Sequence, residues 1–164
     1  MTVIVVAGGH FVVDSAGMQG NTLHSVVKYR TKNLGSGPPL VAAAFGNADA
    51  CERLLCWWGG DTARYPHPIT RNRPVAEMVT WNRGKIFKFH DQSTQSTHLT
   101  GDCAFGDGAE YAYGALAMGA TALQAAQVAC KYSPSCGGPL IQFKINNGEL
   151  IKEIYDADQL QRRG

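Results

Sequence analysis

The chain has 164 residues, 45% of them hydrophobic and 17% charged, with a formal net charge of +2. This length suits a single domain with a substantial core, and so small a charge gives no electrostatic reason to bind nucleic acid or a membrane surface. No apolar run approaches the roughly 20 residues that span a bilayer, and no basic segment followed by an apolar one marks a signal peptide.

Residues 2–7 and 10–14 are β-branched, apolar runs joined by Gly8-Gly9, a hairpin signature. Residues 14–20, rich in Gly and Ser, read as a loop, and residues 22–29 as a short strand carrying Lys28. Turn chemistry makes 33–38 a loop, and the unbroken apolar run at 40–45 suits a strand buried on both faces. Asn47 is placed to cap a helix over 48–58, where Ala50, Leu54, Leu55 and Trp58 recur at helical spacing. From 59 to 74 the pattern fails, with prolines at 66, 68 and 74, and an irregular connection is expected. Trp57, Trp58, Tyr65 and His67 gather near it, to pin a long loop to the core or, alternatively, to form a binding surface.

Residues 76–81, the Asn82-Arg83-Gly84 turn and residues 85–90 form a strand–turn–strand signal. The polar stretch 91–99 reads as an exposed loop, and 102–105 as a short strand leading into Gly106-Asp107-Gly108. Helices are expected over 110–119 and 121–131, the second capped by Thr121. Residues 140–145 and 149–155, around Asn146-Asn147-Gly148, make a closing hairpin, and the polar tail 156–164 reads as frayed or helical. Strands, a helix, strands, two helices and strands suit two stacked sheets with helices outside.

The five cysteines (Cys51, Cys56, Cys103, Cys130, Cys136) are odd in number and lack a C-x-x-C pair, which fits reduced thiols in a cytoplasmic protein. The histidines are scattered, so the pattern points to no zinc site.

The chemistry sits at the start. Removal of Met1 would leave Thr2 with a free α-amine and a hydroxyl on one residue, so that base and nucleophile arrive together. A free α-amine has an ordinary pKa near 8, close enough to neutrality to take the hydroxyl proton. A nearby lysine would lower both pKa values, and a carboxylate would hold that lysine; Lys28 and Asp14 supply these roles. Each residue also has an ordinary use: Thr2 opening a strand, Asp14 closing a turn, Lys28 facing solvent.

These residues stand in a longer pattern. T-V-I-V-V at 2–6, V-V-D-S-A-G at 12–17 and V-V-K-Y at 26–29 are followed by F-G-N-A-D-A at 45–50, F-G-D-G at 105–108 and C-G-G-P at 136–139. In order and spacing the chain resembles the proteasome β-subunit and HslV group of N-terminal nucleophile (Ntn) hydrolases. The resemblance implies an α+β fold, the four-layer αββα sandwich, as one domain over 1–164. It implies Thr2 as nucleophile, Lys28 (with Lys32 as competitor) to lower its pKa, Asp14 to orient the lysine, and Gly46 to help the oxyanion hole. Asp107 stands where the family has a serine and would be an auxiliary polar group. Phe45 replaces a family glycine, and the family's Asp-x-x-Ser-Gly reads Ser133-Pro134-Ser135-Cys136-Gly137. The resemblance further implies a homo-oligomeric ring acting on peptides or proteins, an ATP-dependent unfolding partner, and no cofactor. Two other readings share the fold: a catalytically silent structural or assembly subunit, and an amidase acting on small molecules.

Overall fold

A computed structural model describes residues 2–19, 22–33, 35, 39–61, 76–93 and 95–157. Most of the expected loop at 33–38, most of the irregular connection at 59–74, and the tail beyond Ala157 lie outside the described residues. The chain divides into two compact units, one formed by residues up to Val27 together with those from Gly101 on, the other by Lys28–Thr100.

The first unit is built on the N-terminal hairpin. β1 (Ile4–Ala7) and β2 (His10–Asp14) pair antiparallel, with Ala7 opposite His10, across Gly8 and Gly9 at φ +55° and +75°. Two successive positive φ values twist a two-residue turn to match its strands, and Gly-Gly adopts them without strain. β3 (Ala16–Gln19) and β4 (Thr22–Ser25) form a separate two-stranded sheet, so the expected loop at 14–20 is instead largely strand. β10 (Cys103–Phe105), β11 (Leu140–Asn146) and β12 (Glu149–Tyr155) complete a five-stranded sheet in the order β10-β1-β2-β11-β12.

Helices α2 (Ala109–Ala117) and α3 (Ala122–Tyr132) pack on that sheet. Thr121 caps α3 in a capping box with Gln124, as its position suggests. The core between helices and sheet joins Val3, Val5, Ala7 and Val12 to Ala122, Ala125, Ala126 and Ala129. The small residues along α3 let the helix lie close to β1. The alternate residues Ile4, Val6, Phe11 and Val13 are buried as well, so both strands read as continuous apolar runs.

The second unit is an antiparallel meander. β5 (Tyr29–Lys32), β6 (Leu40–Gly46), β7 (Ala76–Asn82), β8 (Lys85–His90) and β9 (Ser96–Leu99) neighbour one another in chain order. β9 replaces the second part, 96–99, of the loop expected at 91–99. It lies at the sheet edge and is largely exposed, so backbone pairing with β8 holds it without apolar alternation. Lys28 is likewise not inside one strand over 22–29: β4 ends at Ser25, β5 begins at Tyr29, and Lys28 stands in the break. Helix α1 (Ala48–Gly59) starts at Asn47, whose side chain accepts the Ala50 N–H at 3.2 Å. Its Leu54 and Leu55 pack with Ala42, Ala44 and Met78 of the sheet.

On the closing hairpin, Glu153 accepts hydrogen bonds from Lys144 at 2.7 Å, Tyr155 at 2.8 Å and Gln142 at 3.1 Å. The Lys144 bond above all, then that of Tyr155, holds the Glu153 carboxyl below its ordinary value of 4.5. A lowered folded-state pKa means the carboxylate stabilises the fold fully above its unfolded value, and this contribution is lost as pH falls through the folded value. Glu153→Gln should therefore flatten the acid limb of stability against pH while leaving the slope near neutrality unchanged. Urea unfolding from pH 7 to pH 2 measures it.

Candidate active site

Thr2 and Val3 precede β1, and Thr2 is only 3% exposed. Its carbonyl accepts the Gly108 N–H at 3.4 Å. Gly106 has φ +87° and lies so near that an added Cβ would overlap the Thr2 carbonyl oxygen, so glycine is needed for both conformation and room. Gly108, at the start of α2, is equally confined: a Cβ there would stand 2.8 Å from Cys136 Sγ and 3.0 Å from the Ala129 and Val3 Cβ atoms. The turn's backbone is thus seated on Thr2. Asp107, between the two glycines, is exposed.

Asp14 ends β2 with no exposure to solvent. Its Oδ1 accepts the Val3 N–H at 3.0 Å, and its own N–H donates to the Val3 carbonyl at 3.2 Å. Its Oδ2 accepts the Gly137 N–H at 3.2 Å. A buried carboxylate needs such donors to be tolerated. One side chain therefore clamps the residue after Thr2 to the segment following α3. Neither the Val3 nor the Gly137 contact follows from the residues alone, and the only sequence signal is the Gly137-Gly138 pair. In that segment Ser133 is buried and its Oγ accepts the Ser135 N–H at 3.4 Å, which closes the turn after α3.

The second unit carries the remaining expected site residues on adjacent chain segments. Lys28 is buried, and its carbonyl accepts the Ala44 N–H at 3.1 Å. Gly46 ends β6 at φ +119°, opposite Ala76 and one residue before the α1 cap. Phe45, where the family has glycine, keeps a negative φ, so the bulky side chain meets no conformational barrier there. The competing Lys32 donates to the Trp58 carbonyl at 3.3 Å and lies 5.9 Å from that ring's centre.

Neither Cys51 nor Cys103 is prepared to act as a thiol nucleophile. Burial pushes the Cys51 thiol up to about 11 and raises that of Cys103, so both are protonated near neutrality. Among the described residues, no group of three His, Cys, Asp or Glu side chains could hold a metal ion, and no helix is long and apolar enough to cross a membrane.

No protein-family model and no curated protein sequence matches the chain. Solved structures do, and the fold they define is the α+β sandwich of proteasome-like Ntn-fold proteins. A Gly-1 mutant of Anbu from Hyphomicrobium sp. strain MC1 aligns over 96% of this chain and 89% of its own, with a TM-score of 0.72 and 13% identity. BPH from Thiobacillus denitrificans, in complex with Epoxomicin, aligns over 87% of this chain and 96% of its own, with a TM-score of 0.61 and 16% identity. At such identities the likeness is one of fold.

The two N–H groups held by Asp14 give a direct test. Asp14→Ala should lower the unfolding free energy by at least about 2 kcal/mol, since each unpaired buried group costs about 1–3 kcal/mol. Asp14→Asn, which keeps one acceptor oxygen, should lose roughly half of that. Denaturant melts compare the two, and equal losses would refute the two-point clamp.

Proposed function

We propose that the chain is a threonine-type amide hydrolase acting on peptides or proteins, with Thr2 as nucleophile once Met1 is removed. The observation that carries this reading is the seating of Thr2. It is buried, met by the Gly108 N–H, backed by a turn with no room for a side chain, and followed by a residue clamped to Asp14. A strand-opening threonine with no further task needs none of this, whereas a nucleophile must be held in place before substrate arrives.

In this mechanism the Thr2 amine takes the hydroxyl proton as Oγ attacks the scissile carbonyl. Backbone N–H groups at Gly46 meet the oxyanion. The amine then passes the proton to the leaving nitrogen, and water cleaves the resulting ester to free the amine and hydroxyl. Lys28 lowers the pKa values at Thr2, Asp14 orients Lys28, and Asp107 is an auxiliary polar group. An HslV-like ring in the cytoplasm, fed by an ATP-dependent unfolding partner, completes the reading. Likeness of fold to Anbu and to an Epoxomicin-bound BPH supports it. The exposed Asp107 favours a second reading, a silent assembly subunit, because a solvent-facing carboxylate replaces the hydroxyl expected beside the nucleophile.

Native and intact mass spectrometry of the expressed protein, with and without an epoxyketone peptide, separates the two. The hydrolase reading expects loss of Met1, one probe per chain, no adduct in Thr2→Ala or Lys28→Ala, and a closed oligomer. Retained Met1 with no adduct would leave the silent subunit.

A further inference from the structure

Helix α2 lies at the surface without the polar face that solvent asks for. Among its nine residues only Glu110 is charged, and Ala112 alone is buried. A helix apolar on all sides is normally covered on all sides. Its outward side carries Tyr111, Tyr113 and, one residue past its end, Met118, which are 43%, 46% and 88% exposed. Tyr132 at the end of α3 continues the patch: it is 58% exposed, and its ring stacks on Tyr111 with centroids 6.1 Å apart.

Gly114 stands at the middle of this face, four residues from both Glu110 and Met118, so the three follow one line along the helix. A glycine inside a helix costs stability relative to alanine. Nothing in the chain asks for it here, because a Cβ on Gly114 would meet no atom within 4 Å. A residue that breaks a local rule with no gain inside the chain points to a gain outside it, and glycine at a helix centre lets a second helix approach closely. Area and charge identify that helix as α2 of a second copy. The four large side chains together expose on the order of 500 Å², taking about 200 Å² for each in full. Two such faces bury on the order of 1,000 Å² between them, enough for a specific pair. The single charge lies at one end of the face. In an antiparallel pair crossing at Gly114, the two Glu110 side chains are separated by about 12 Å along the axis, whereas a parallel pair would set them side by side.

We propose that α2 is the contact by which two copies of this chain pair about a two-fold axis, antiparallel, with Gly114 against Gly114 and Met118 over the partner's Glu110. Such a contact uses the same face on both copies, and so differs from the head-to-tail contacts that close a ring. It holds equally for the hydrolase and for the silent subunit.

Analytical ultracentrifugation of the full chain between about 1 and 100 µM tests the proposal. The parent should contain an even number of chains, and Gly114→Leu should halve that number, a pair becoming a monomer or a stacked pair of rings becoming one. Leucine fits the open space on a single chain and favours helix, so circular dichroism should show the fold unchanged. It also adds apolar surface, so a merely sticky face would associate more strongly, and that result would overturn the proposal. Charge tests the register. Met118→Lys, set against the partner's Glu110, should pair about tenfold or more tightly than Met118→Glu, which sets like charges together. A parent that stays monomeric at about 100 µM, an assembly unchanged by Gly114→Leu, or equal pairing of the two Met118 variants would also overturn it.

Discussion

The arrangement around Thr2 depends on one buried carboxylate. Asp14 takes an N–H from Val3 on one oxygen and from Gly137, 123 residues away in sequence, on the other. A charge without solvent exposure is tolerable only with such donors, and satisfying them joins the start of β1 to the segment after α3. The same residue returns a backbone N–H to the Val3 carbonyl, so Val3 is held from both sides.

Val3 is therefore the pivot of the site, although it has no chemistry of its own. Its Cβ lies against the position a side chain on Gly108 would need, and its own side chain belongs to the core beneath α3. The glycine turn can press its backbone onto Thr2 only because Gly106 and Gly108 have no side chains. The alanine face of α3 belongs to the same design, because small residues bring the helix close enough for Ala129 and Cys136 to close around Gly108.

Much of the fold was legible from local signals. The Gly8-Gly9 and Asn147-Gly148 turns and Gly84 have the positive φ values their residues favour, and Asn47 and Thr121 cap the helices they precede. The missed strands share a cause. β3 and β9 are four-residue strands, and β9 is a polar edge strand held by pairing. Val26 and Val27 misled in the opposite sense, since both are exposed where an apolar pair suggests strand. The Thr2, Asp14 and Lys28 pattern was visible only as a spacing, and the role of Gly137 was not visible at all.

The sequence by itself determined where the helices, the hairpin turns and the longer strands lie, because periodicity, glycine conformation and capping act within a few residues. It also singled out Thr2 as a residue able to carry nucleophile and base together. Only the tertiary structure decided what Asp14 holds, why Gly106 and Gly108 must be glycine, that Lys28 is buried, and that Gln127 keeps an unpaired oxygen. Those facts rest on contacts between residues distant in the chain, where desolvation and close packing act without leaving a local trace.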